Sequence, residues 1–251
     1  MGSLNLKTLW RLLVLLIVVP LAVGATLWLL EQRGSFNLDH IDILLTKNND
    51  QSRFMRPLVE DLDAQLEKLR GQSLWRINLI GMSHQLTALP WVAEIQMHRN
   101  WPDRLEIRIV PKEVKFLFVG KGGQLFPVME DGTFLNPVSA EARPDVVLLR
   151  GDDFVQNKEL LGRALKAFED FPNDGSFSKK TISEIHFSVK EGFWATLMKD
   201  AINVKLGDDH VVVKADRVSQ VLDYLEAHQL DARVIDANLT KKVLVRLRKG
   251  P

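Results

Sequence analysis

A chain of 251 residues, 46% hydrophobic and 26% charged, has the make-up of one or two folded domains rather than a disordered tail. Lys and Arg number 33 against 32 Asp and Glu, so a net charge of +1 leaves no global field to draw in nucleic acid. With Cys at 0, disulfides, thiolate metal sites and a cysteine nucleophile are excluded together.

The first element is an apolar run. Residues 12–30 carry no charge, and at about 1.5 Å per residue a helix of that length spans roughly 28 Å, close to a bilayer's hydrocarbon core. Trp10 and Trp28 lie near its ends, where indoles favour the lipid–water interface. Lys7 and Arg11 precede it without an acid, whereas Glu31 and Arg33 cancel behind it, so the positive-inside bias places the N-terminus in the cytoplasm. A cleaved signal peptide is the competing reading, with Ala22-Val23-Gly24 as its small-residue site. The apolar run goes on through Ala25 to Leu30, longer than such a segment needs, which favours an uncleaved anchor. The expected order is a short cytoplasmic tail over residues 1–11, a transmembrane helix over 12–30, and the remainder outside the cytoplasm.

After a juxtamembrane piece over 32–35, Ile41, Ile43 and Leu45 alternate as in a strand, and 47–52 read as a polar turn. Pro57 opens a helical pattern with Leu58, Leu62, Leu66 and Leu69 on one face, closed by Gly71. A second short helix is expected over 79–89, where Pro90 bars its continuation. Residues 91–99 and 104–110 read as strands joined by the turn Asn100-Trp101-Pro102-Asp103, with Leu105, Ile107 and Ile109 alternating against Glu106 and Arg108. Strand, helix, helix, strand, strand can bury one sheet face under two helices, an independent module over 36–110.

Pro111 marks the next boundary, and 111–251 turn mostly to β-structure. Strands are expected over 116–119, 124–128 and 146–150, with Asp131-Gly132 as a hairpin turn before Phe134. A helix over 158–171 carries Leu161, Leu165 and Phe168 on one stripe. Strands follow over 182–189, 193–199, 202–206 and 211–213, and then a helix over 215–228 with Val218, Val221, Leu222 and Leu225 inward. Two last strands cover 232–236 and 243–248. The fold class is therefore α+β: an anchor, a β-α-α-β-β module, and a mostly antiparallel β domain with two helices.

Catalytic patterns are missing from the sequence. The six His show no metal-ligand spacing, and the dense trio Asp208-Asp209-His210 reads as a solvated turn rather than a metal site. Ser83-His84 lacks the G-x-S-x-G surroundings of a nucleophile elbow, and Gly120, Gly122 and Gly123 make a flexible β turn, not a phosphate cradle. No enzyme activity and no cofactor are expected. Trp91, Trp101 and Pro102 are read as structural, setting a core and a hairpin.

Several stretches carry a family resemblance in chain order. Leu89-Pro90-Trp91-Val92 is followed by Arg99-Asn100-Trp101-Pro102-Asp103-Arg104-Leu105 and Ile107. Then come Val128-Met129-Glu130-Asp131-Gly132-Thr133-Phe134, Val204-Lys205-Leu206-Gly207 with Arg217, and Ile235-Asp236. These resemble the FtsQ/DivIB family of bitopic bacterial cell-division proteins over nearly the whole chain. Asn238, Leu239 and Lys242 depart from it, standing where the family often has an Arg-Tyr pair and a Gly. The resemblance implies a POTRA domain over 36–110, a β domain over 111–251, and an inner-membrane scaffold at the division septum with its C-terminal part periplasmic. Its implied partners are other membrane-bound division proteins, with the POTRA domain as one contact.

The last strand is a candidate sheet edge where a partner strand could add. Val243, Val245 and Leu247 are expected to face the core, leaving Leu244, Arg246 and Arg248 outward. The basic cluster Lys241, Lys242, Arg246, Arg248 and Lys249 suits an acidic partner, and equally suits protection of an edge against aggregation. The expected partner-binding residues are Leu239, Lys241, Lys242, Leu244, Arg246, Arg248 and Arg217, and the expected occupant is a small coiled-coil division protein of the FtsB/FtsL type. Alternative readings are a POTRA protein of envelope assembly or secretion and, less well supported, a cell-wall hydrolase.

Overall fold

The computed structural model describes residues 6–46, 52–239 and 242–248. Helix α1 runs over Leu6–Gln32 with Pro20 inside it. Its stretch Val14–Gln32 is long and apolar enough to cross a membrane, and none of that stretch is buried against protein. The packing divides the described residues into two compact units, one of residues 6–46 and 56–111, the other of residues 52–55, 112–239 and 242–248.

In the first unit come β1 (His40–Leu45), α2 (Ser52–Leu66) from Arg56 onward, α3 (Leu79–Thr87), β2 (Val92–Asn100) and β3 (Arg104–Pro111). The sheet order is β1-β3-β2, with β1 parallel and β2 antiparallel to the central strand. Central β3 buries Leu105, Ile107 and Ile109 completely, as its alternation requires. Because β1 and β3 run parallel, the chain between them must cross over, and α2 and α3 lie in that crossover. Pro57 does not open α2 as expected: the helix already includes Ser52, and Pro57 sits within it. Phe54 and Met55, in the turn before Pro57, are both buried, and that burial outweighs the one backbone bond a proline forfeits. The expected turn over 47–52 falls largely outside the described residues.

The second unit holds β4 (Val114–Val119), β5 (Leu125–Met129), β6 (Val147–Arg150), α4 (Asp153–Gln156), α5 (Lys158–Glu169), β7 (Ile182–Ser188), β8 (Gly192–Leu197), β9 (Asn203–Gly207), α6 (Val211–Ala227), β10 (Ala232–Asp236) and β11 (Leu244–Leu247). One mixed sheet results, in the order β11-β10-β9-β8-β7-β6-β4-β5. Antiparallel pairings outnumber the parallel ones, which join β10 to β9, β4 to β6 and β6 to β7. A single cluster gathers Leu161 and Phe168 of α5, Val218 and Leu222 of α6, and sheet residues such as Phe116, Leu149, Ala195 and Val204.

Residues 211–213 are not a strand but the first turn of α6. Three successive valines favour extended backbone, yet Lys214, Ala215, Val218 and Leu222 are buried at helical spacing, and that packing overrides local preference. The hairpin turn at Asp131-Gly132 closes as expected: Gly132 N–H donates to the Met129 carbonyl at 2.8 Å, Met129 N–H donates to the Thr133 carbonyl at 2.9 Å, and Phe134 bridges Val128 antiparallel.

Candidate partner-docking edge

The two rims of the eight-stranded sheet differ. At the β5 rim the chain folds back on itself: Val128 bridges Phe134, Leu125 bridges Val138, and Leu135 N–H donates to the Pro127 carbonyl at 2.9 Å. Pro127, having no N–H, could not offer a full ladder there in any case. At the other rim, β11 pairs with β10 alone, and among the described residues nothing pairs with its outer side.

The backbone of β11 shows which groups are on offer. Arg248 N–H donates to the Asp231 carbonyl at 2.8 Å, so the amides of Arg246 and Leu244 also turn toward β10. Those of Val245 and Leu247 then point away from the sheet. Side chains alternate likewise: Val243 and Val245 pack on the core, whereas Leu244 and Arg246 are exposed. Leu247, expected in the core, is 50% exposed. It lines an open groove of about 540 Å³ between β11 and α6, together with Arg217, Tyr224, Lys242, Val243 and Val245. Arg248 is exposed but engaged, its guanidinium donating to the Asp200 carbonyl in the β8–β9 turn.

The approach to β11 is tied down from below. Lys214, nearly buried at the start of α6, donates to the Leu206 carbonyl at 2.8 Å, Asp209 Oδ1 at 2.6 Å and Asn238 Oδ1 at 3.2 Å. That ammonium holds the Asp209 carboxyl below its ordinary pKa. Asn238 also donates its N–H to Asp236 Oδ1 at 3.1 Å. Gly207 leaves room for this arrangement: its φ is +74°, and a Cβ there would lie 1.9 Å from Asn238 Oδ1.

Of the residues singled out in the sequence, Arg217 and Lys242 come together in the groove, while Leu244 and Arg246 share the opposite face of β11. Leu239 is exposed in the β10–β11 connection, and Lys241 lies outside the described residues. Tyr224 was not anticipated. It is the single tyrosine of the chain, placed off the inward stripe of α6 and stacked on His228 with ring centroids 4.0 Å apart.

The trio Asp208-Asp209-His210 is dispersed. Asp208 faces Arg163, Asp209 faces Lys214, and His210 sits in left-handed backbone before α6. Among the described residues Asp39, His40 and Asp103 bring ligand atoms within 4.8 Å of one another; Asp39 and His40 are exposed and Asp103 half-buried, an ordinary charged surface group.

A candidate membrane span, a β-α-α-β-β unit and a larger mixed-sheet unit, one rim of which pairs with nothing among the described residues, define a two-module protein with an apolar N-terminal helix. Residues 59–110 match the model of the FtsQ-type POTRA domain, and residues 118–238 match that of the C-terminal region of the cell division protein FtsQ/DivIB. The chain belongs to the FtsQ/DivIB family. A cell division protein FtsQ from Geobacter sp. (strain M21) is 27% identical over 183 residues, covering 70% of this chain and 66% of that relative. The one from Syntrophotalea carbinolica is 22% identical over 187 residues, covering 72% and 66%. A third, from Thioalkalivibrio sp. (strain K90mix), reaches 33% over 102 residues. The matches thus span about two thirds of the first relatives' length, and the family match ends at residue 238, just before β11.

Proposed function

We propose that this chain is a bitopic division scaffold, anchored by α1 with its N-terminus in the cytoplasm, that docks a partner at the septum by strand addition to β11. The observation that carries this reading is the asymmetry of the second unit's sheet: one rim occupied by its own chain, the other unpaired among the described residues. A partner strand of about five residues would gain roughly 0.5–1.5 kcal/mol net per backbone bond, a few kcal/mol in all, so side chains must supply the rest. The groove beside α6 offers apolar contact through Val243, Val245 and Leu247, rimmed by the cations Arg217 and Lys242. The partner chemistry that fits is an amphipathic segment with acidic residues, as in a small coiled-coil division protein of the FtsB/FtsL type. Residues 36–110 would act as a POTRA domain contacting further membrane division proteins, and 111–251 as the docking domain.

Co-isolation from membranes tests the edge. Lys242→Glu with Arg246→Glu reverses the charge on both sides of β11, and partner recovery is expected to fall about tenfold or more. Recovery equal to the unaltered chain would overturn docking at β11.

A further inference from the structure

The first unit carries an exposed aromatic cluster that the docking edge does not use. Phe36, Trp75 and Trp101 meet from three separate loops. Trp75 and Trp101 lie 4.3 Å apart between ring centroids, and Phe36 stands edge-on to them at 6.3 and 5.9 Å. Yet Trp75 remains 58% exposed and Trp101 46%. The loops are held by backbone: Leu74 N–H donates to the Phe36 carbonyl at 2.8 Å, and Asn37 bridges Ser73. The Arg99 side chain donates to the carbonyls of Leu74 at 2.9 Å and Ile77 at 2.7 Å, clamping both sides of Trp75. The patch is built before anything touches it.

Chain length fixes its distance from α1. The helix ends at Gln32, and the amides of Arg33 and Ser35 close its last turn on the carbonyls of Leu29 and Leu30 at 3.1 Å. Phe36 follows four residues after Gln32, a reach of at most about 14 Å. Glu31, at the helix end, pairs with Arg76 at 3.1 Å, and Arg76 is the neighbour of Trp75. If α1 crosses a bilayer, these three rings stand at its surface, where each headgroup layer is about 5–8 Å deep.

We propose that Phe36, Trp75 and Trp101 form an interfacial anchor that seats the first unit on the outer face of the membrane α1 crosses. This rests on the reading of α1 as a membrane span. Indole suits that zone because its ring is apolar and its N–H stays hydrated. Arg33 and Arg76 supply cations at the level of the lipid phosphates. Asp39 and Asp103, close in sequence to Phe36 and Trp101, limit the depth, since carboxylates do not enter hydrocarbon.

The test uses the full chain in vesicles of phosphatidylethanolamine and phosphatidylglycerol, with and without bromine on the acyl chains near the headgroups, reading tryptophan emission. In W10F/W28F four indoles remain, Trp91 buried and Trp194 in the second unit. Brominated lipid should quench the emission of Trp75 and Trp101 in that background, and adding W75F/W101F should abolish the quenching. No quenching in W10F/W28F, or quenching that persists after W75F/W101F, overturns the anchor patch. W75F/W101F with Trp10 and Trp28 intact reports on α1 alone. Quenching there but not in W10F/W28F refutes the patch and leaves the span standing; quenching in neither refutes both.

Discussion

At Gly207 a single hydrogen decides whether the entrance to β11 can form. With φ at +74° and Asn238 Oδ1 where a Cβ would go, Gly207→Ala meets both backbone strain and a clash. We expect a loss of about 1–3 kcal/mol, read as a lowered midpoint in thermal unfolding. His186 offers a second test. Burial pushes its imidazole below the ordinary pKa, outweighing the opposing pull of Glu184 and Glu191, and the ring stacks on Trp194 at 5.3 Å. A group depressed on folding is protonated first in the unfolded chain. Its stabilising share is present above the unfolded pKa of about 6.5 and is lost as pH falls toward the lower folded value. His186→Phe keeps a stacked ring without a titrating one, so its unfolding midpoint should fall less between pH 7.5 and 5.5 than that of the unaltered chain.

Elements raise a different question, because β11 can be broken in two ways. Arg246→Pro removes an amide that faces β10 and should unseat the strand, whereas Leu247→Pro removes one that faces outward. If docking uses the outer ladder, Leu247→Pro should lower partner recovery while the thermal midpoint falls less than in Arg246→Pro. Periodicity alone predicted most strands and helices to within a few residues, β10 among them, because alternation and the 3.6-residue stripe report burial directly. It failed where long-range packing won, as at Val211–Ala227, which begins with a valine run, and at Pro57 inside a helix. Of the candidate edge, the basic character of the last strand was legible. The covered rim at β5, and Tyr224 and Arg217 standing beside Lys242, were not, since they arise from contacts between elements remote in sequence.

The whole molecule comprises two compact units, the first of which includes the candidate span. An uncleaved α1 should keep the full chain in the membrane pellet through an alkaline carbonate wash, and removal of residues 1–32 should release it to the supernatant. A fluorescent fusion should gather as a band at midcell in dividing cells; an even envelope signal would argue against a septal role. Because residues 130–138 already close one rim of the eight-stranded sheet, a single rim of that sheet is left unpaired among the described residues. If β11 is the docking strand, titration with the partner segment that docks there should saturate at one equivalent, so the count of such guests at any site is capped by the count of hosts.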